Sequence, residues 1–248
     1  MLHDDAERWQ RGERTNFEGK AIRNRVLLLL ADRELEFLCP LLSFQAFPHH
    51  ARLHEAGAEL EYVHFLNRGL VSVMAATKLG RTVEVATVGQ EGIVGTEALA
   101  GLKHSRDRAI VQVAGDGFRI RVPDLQSALA SNPRAQAAFT RYALIQGMQS
   151  AQLAACNRLH GVEQRLARWL LVAQDRVEQH FLQITHAELA TILGTDRPSV
   201  SLAASALQRK GAIEYKRGTV KMVNRKLLEE TSCECYAALG QLDVLSKL

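Results

Sequence analysis

The chain has 248 residues, of which 47% are hydrophobic and 23% charged, and it carries a net charge of +4. This is the balance of a globular protein with room for two modest cores. Residues 26–31 are the first apolar run and are far too short to span a bilayer. Asp4, Asp5 and Glu7 stand where a secretory leader would be basic, so neither secretion nor a membrane is expected and a cytoplasmic location is the expectation.

One constellation with ligand chemistry is His49, His50, His54, Glu55 and His64. Imidazoles and a carboxylate on a small barrel could hold a metal and support a cupin-like enzyme, which is the alternative reading of this chain. The spacing fits a compact site poorly and no second cluster follows, so these are expected to be loop and surface histidines, with no metal site and no cofactor. No phosphate-binding loop, nucleophile elbow or H-E-x-x-H motif is present.

From residue 60 to 122 short apolar alternations predict half-buried strands: Val63 and Phe65, Val71 and Val73, Val83 and Val85, Val111 and Val113, Phe118 and Ile120. Turn signals separate them at Asn67-Arg68-Gly69, Leu79-Gly80, Gly89 to Gly92 and Gly115-Asp116-Gly117, the spacing of an antiparallel roll. Residues 1–132 form the expected sensor domain. From Pro133 a helix of two dozen residues or more runs toward Gly161. Its stripe of Leu144, Met148, Ala151, Ala155, Leu159, Val162 and Leu166 predicts a helix–helix seam, and the small alanines would admit a symmetry mate. Residues 133–161 are therefore read as a dimerisation helix.

Residues 162–248 form the third region. Thr185 and Glu188 have capping-box spacing, Leu189, Ile192 and Leu193 give one apolar side, and Gly194 can end the helix in the left-handed conformation. Asp196 caps a second helix that tolerates Pro198 in its first turn, with Val200, Ala203, Ala204 and Leu207 as its buried stripe. Arg197, Ser201, Leu202 and Ser205 are left outward. Two strands, 212–215 and 220–223, flank an Arg217-Gly218 turn. Helix, turn, helix and hairpin in this order make a winged helix-turn-helix, whose second helix fits the major groove of double-stranded DNA. Between 185 and 226 eight Lys/Arg stand against three acids, a local excess larger than that of the whole chain. Arg197 is the expected base reader and Leu202 can meet a thymine methyl. Thr185, Ser199, Lys216 and Arg217 are expected at phosphates, with Asp196 beside them as the cap.

Val162-Glu-Gln-Arg-Leu-Ala, Ile184-Thr-His-Ala-Glu-Leu-Ala, Gly194-Thr-Asp-Arg-Pro-Ser-Val and Leu207-Gln-Arg-Lys-Gly-Ala-Ile together resemble the Crp/Fnr family of bacterial transcription regulators, over nearly the full chain. The resemblance implies an α+β protein: an N-terminal antiparallel β-roll of cyclic-nucleotide-binding type, a long dimerisation helix and a C-terminal winged helix. It implies a homodimer on a pseudo-palindromic promoter site with RNA polymerase as a further partner, and no enzymatic activity. In nucleotide-binding members a Glu holds the ribose, and an Arg with a small hydroxyl residue holds the cyclic phosphate. Here Thr96 stands at the ribose position with Glu97 next to it, and Arg108 is followed by Ala109 in place of the hydroxyl. Cyclic AMP is therefore not the expected effector, and the effector stays unidentified. Pro198 and Leu202 replace polar base-reading residues of cyclic-AMP-type members, so the half-site should differ there. Iron–sulfur members carry an N-terminal cysteine cluster. This chain has only Cys39, Cys156, Cys233 and Cys235, whose single C-x-C pair reads as a weak thiol or metal site or as packing for a terminal helix.

Overall fold

The computed structural model describes residues 14–243 except Leu79 and Glu178, so Asp4, Asp5, Glu7 and the first residue of the Leu79-Gly80 turn lie outside the described residues. Two short helices, α1 (Arg25–Leu28) and α2 (Asp32–Leu38), precede eight strands: β1 (Ser43–Phe47), β2 (Arg52–His54), β3 (Tyr62–Leu66), β4 (Leu70–Ala76), β5 (Thr82–Val88), β6 (Ile93–Val94), β7 (Arg108–Val113) and β8 (Gly115–Arg121). They form two antiparallel four-stranded sheets, ordered β1-β8-β3-β6 and β2-β7-β4-β5. Phe47, Leu66, Val71, Val88, Val94, Ala109 and Val111 fill the space between them, so Val71 and Val111 point inward as expected, whereas in β5 the expected faces are reversed: Val83 and Val85 are half-buried and Glu84 and Ala86 are buried. Strands β1, β2 and β6 were not predicted.

Gly115-Asp116-Gly117 is not a turn. These residues belong to β8, where Gly115 pairs with Phe47 and Gly117 with Gln45. The glycines are there because two backbones cross closely: a Cβ would come within 2.1 Å of the Arg68 carbonyl at Gly115 and within 2.2 Å of the Phe65 carbonyl at Gly117.

Helix α3 (Val122–Ala130) leads into the long α4 (Pro133–Leu159), started by Pro133 in the first turn and by the Asn132 side chain, which accepts from the Ala135 amide. His160 is extended and breaks α4 from α5 (Val162–Val177). The predicted seam is cut at this break. Leu144, Met148 and Leu159 are 67%, 48% and 74% exposed, whereas Leu166 is fully buried in the core of the next domain. That core gathers Trp169, Leu170 and Leu171 of α5 with residues of α6 (His186–Leu193), α7 (Arg197–Arg209), β9 (Phe181–Gln183), β10 (Ile213–Lys216), β11 (Thr219–Met222) and α8 (Arg225–Thr231). A last helix, α9 (Cys235–Gln241), packs back on α4 and α5. Among the described residues no helix is long and apolar enough to cross a membrane.

The roll and the C-terminal domain touch through a buried polar knot. Glu84 of β5 accepts from the Ser72 hydroxyl, from Thr87 at 2.7 Å and from the Trp169 indole at 3.1 Å. Burial pushes the Glu84 carboxyl up, against the bonds from Ser72 and Thr87 and the nearby Arg168 charge. Beside the knot, Arg176 and Glu91 form a largely buried ion pair at 2.9 Å. Val83 lies against Gly194, where a Cβ would approach its side chain to 2.8 Å.

Candidate nucleic-acid interface

Helix α6 starts with a complete capping box. The Thr185 hydroxyl accepts from the Glu188 amide, while the Glu188 carboxylate accepts from the Thr185 amide. Gly194 ends the helix at φ 61°, and Asp196 caps α7 by accepting from the Ser199 amide at 2.7 Å. That bond and one from the Ser199 hydroxyl hold the Asp196 carboxyl below its ordinary range, which keeps the cap anionic. Val200, Ala203, Ala204 and Leu207 are buried and fix the rotation of α7. Arg197, Leu202 and Ser205 are thereby turned to solvent, and Leu202 is 74% exposed although it is fully apolar.

Ser201 differs from expectation. It is half-buried, and its hydroxyl meets His186 Nδ1 at 2.9 Å and the Arg197 carbonyl at 3.0 Å, so it braces α6 against α7. The Thr185 hydroxyl also donates to Glu188 at 2.7 Å, which leaves it at the foot of the box. Burial pushes the Glu188 carboxyl up, but the Thr185 bonds and His50 outweigh this and hold it low. His50 Nε2 lies 2.5 Å from Glu188 and links the roll to α6.

The hairpin turns at Arg217 (φ 51°) and Gly218 (φ 77°), two successive positive φ values that suit the twist of a two-residue hairpin. Lys216 and Arg217 are exposed at its tip. The sequence missed β9, which pairs with β11 to make the wing a three-stranded sheet, and the Ile184 amide adds a bond to the Gly218 carbonyl at 2.8 Å. Three residues are too few to show a period.

Of the three effector candidates, two share a cavity and the third lies outside it. Thr96 and Glu97 line a cavity of about 180 Å³ between the roll and α4, with His54, Asp107, Gln146 and Ser150. Thr96 donates to Gln146 at 2.8 Å, and Glu97 accepts from Ser105 at 2.5 Å. Arg108 is not in this lining; its Nε is held 2.6 Å from Glu55. The cavity lining holds two carboxylates, Glu97 and Asp107, and no Lys or Arg, and burial, with the Glu97 charge, pushes the Asp107 carboxyl up. The histidines are not all on the surface. His64 is buried in β3, and burial, with the His54 and Arg119 charges, drives its imidazole down to about 3. His49 and His50 are exposed and meet Glu188 rather than the rest of their predicted group.

Residues 164–231 match the Crp-like helix-turn-helix domain. No curated protein sequence matches the chain. Solved structures match the fold. FixK2 of Bradyrhizobium japonicum is 15% identical, with a TM-score of 0.66 over 77% of this chain and 98% of that one. The c-di-GMP-responsive global regulator CLP of Xanthomonas campestris is 18% identical, with a TM-score of 0.65 over 77% and 99%. A Crp-family transcriptional regulator of Thermus thermophilus is 23% identical, with a TM-score of 0.63 over 76% and 96%.

Proposed function

We propose that this chain is a Crp/Fnr-family DNA-binding transcription regulator rather than an enzyme, and that it acts as a homodimer on a pseudo-palindromic promoter site; its Crp-like helix-turn-helix domain and its fold support this reading. The observation that carries this reading is the presentation of α7: four buried residues lock its rotation, and Arg197 and Leu202 project from its outer face. Arg197 donates to a guanine edge and Leu202 meets a thymine methyl, while Lys216 and Arg217 of the wing lie along phosphates. Ser199 and the amides of the first turn of α7 assist, with Thr185 and Asp196 holding the two helix starts and Ser201 holding the helices together. The exposed line of Leu144, Met148, Ala151, Ala155 and Leu159 on α4 supplies the seam with a second copy, which sets two recognition helices about one turn of DNA apart, roughly 34 Å. Promoter-bound dimers then meet RNA polymerase.

The effector in this reading is not cyclic AMP. Arg108 is committed to Glu55, and Glu97 and Asp107 present carboxylates where a cyclic phosphate would need cations. A small molecule that offers hydrogen-bond donors to Thr96, Glu97 and Asp107 fits better. Selection of binding sites from a randomised duplex pool, with and without cyclic nucleotides, tests both points. A two-fold site recovered without ligand is expected. Enrichment that depends on cyclic AMP would overturn the effector reading, and a site without two-fold symmetry would overturn the dimer.

A further inference from the structure

Where α4 ends, three cysteines and a histidine converge. Cys156 lies in the last turn of α4, His160 is its extended cap, and Cys233 and Cys235 come from the far end of the chain, where α8 gives way to α9. All three cysteines are buried and reduced, and they form a cluster of their own. Cys156 Sγ is 3.5 Å from Cys233 Sγ, Cys235 Sγ is 3.7 Å from His160 Nδ1, and the four donor atoms all lie within 4.8 Å of one another. A tetrahedral zinc ion with bonds of about 2.3 Å to sulfur and 2.0–2.1 Å to nitrogen would place its ligands roughly 3.8 Å apart for sulfur pairs and 3.5 Å apart for sulfur and nitrogen. Two edges of the cluster are already near these lengths, Cys156–Cys233 at 3.5 Å and Cys235–His160 at 3.7 Å, and the other four are within 4.8 Å, so small side-chain shifts would close the tetrahedron.

We propose that Cys156, His160, Cys233 and Cys235 form a four-ligand binding site for a thiophilic divalent cation of the zinc class. The outer contacts fit the assignment. With Nδ1 turned to the thiols, His160 Nε2 is 3.1 Å from the Glu234 carboxylate, which would accept its proton and fix the tautomer that ligates. The Gln152 amide donates to Cys235 Sγ at 3.1 Å, a bond suited to a thiolate. Three thiolates and a divalent cation leave one negative charge, and the nearby guanidiniums of Arg165 and Arg168, both buried in α5, offset it. A closed four-ligand set of this kind is structural, with no open position for substrate. It ties the end of the dimerisation helix to the last helices of the DNA-binding domain, across the His160-Gly161 break. Cys39, buried in the roll, is outside it.

The test is metal analysis of full-length protein reconstituted with zinc under reducing conditions and passed through gel filtration. One zinc per chain is expected, and a mercurial that blocks thiols should release it in a colorimetric chelator assay, which needs no variant. Cobalt exchange should give the intense thiolate-to-cobalt absorption of a multi-cysteine site. Cys233→Ser and His160→Ala should lose the zinc, whereas Cys39→Ser keeps it. Zinc-free protein after reconstitution, full zinc retention in both ligand variants, or a Cys156–Cys233 disulfide that persists under reductant would overturn the proposal.

Discussion

Replacing Arg197 with alanine separates base reading from folding, because the structure fixes what the residue does not do. Arg197 is the first residue of α7 and is exposed, while the capping bond belongs to Asp196. A cation at a helix N-terminus opposes the dipole by about 0.3–1 kcal/mol, so the alanine variant should fold as well as the parent or slightly better. A bidentate arginine–guanine contact is worth about 1–3 kcal/mol, roughly a 5- to 160-fold change in affinity. A two-fold site counts it twice. Fluorescence anisotropy on the selected duplex and on a scrambled one, at one salt concentration, reads the difference, with thermal unfolding as the control. The expected outcome is a large loss on the selected site, little loss on scrambled DNA, relaxed preference at one base pair per half-site and an unchanged melting temperature. Equal losses on both duplexes, or a lowered melting temperature that accounts for the loss, would refute the assignment.

Lys216→Ala should weaken binding to all sequences and reduce the slope of log K against log salt by about 0.9 for each phosphate contact removed; an unchanged slope would place Lys216 away from the backbone. Leu144→Glu with Met148→Glu puts charge into the exposed stripe of α4, so light scattering should find half the parent mass, and a full-size dimer would move the seam elsewhere. Glu84 titrates above its ordinary range because it is buried. Its contribution to stability is therefore fully present below the ordinary glutamate value and declines as pH rises through the higher folded value. Glu84→Gln should gain on the parent as pH rises, by at most about 1.4 kcal/mol per pH unit. An advantage that shrinks with pH in denaturant titrations would reverse the sign.

The helix-turn-helix was legible because its signals are local: a cap three residues from its partner, a glycine at the turn and an apolar stripe at helical steps. The strands with strict alternation, such as Val71 to Val73, were legible for the same reason. β1 was not, since Ser43–Phe47 buries fully only its last residue, and a turn was read from glycines that instead let two backbones cross. The proposed metal-ligand cluster was legible only in part. The C-x-C pair of Cys233 and Cys235 already read as a weak thiol or metal site, but Cys156 and Cys233 are 77 residues apart, and only the return of α9 onto α4 brings them together. Cys156 and His160, one helical turn apart, gave no sign of joining that pair. Arg108 shows the limit of motif transfer, because Glu55, which engages it, comes from a neighbouring strand segment that no loop alignment includes.

The wing and the first helix of the pair are not independent arms. Strand β9 runs straight into Thr185, its neighbour Ile184 is bonded to the carbonyl of Gly218, and Arg217 lies one residue further. The span from the start of α6 to the hairpin tip is thus set by backbone bonds rather than by side-chain reach. In the proposed complex the two would press on the DNA backbone as one rigid unit, so the local course of that backbone, and the untouched bases that shape it, would weigh on where the protein settles.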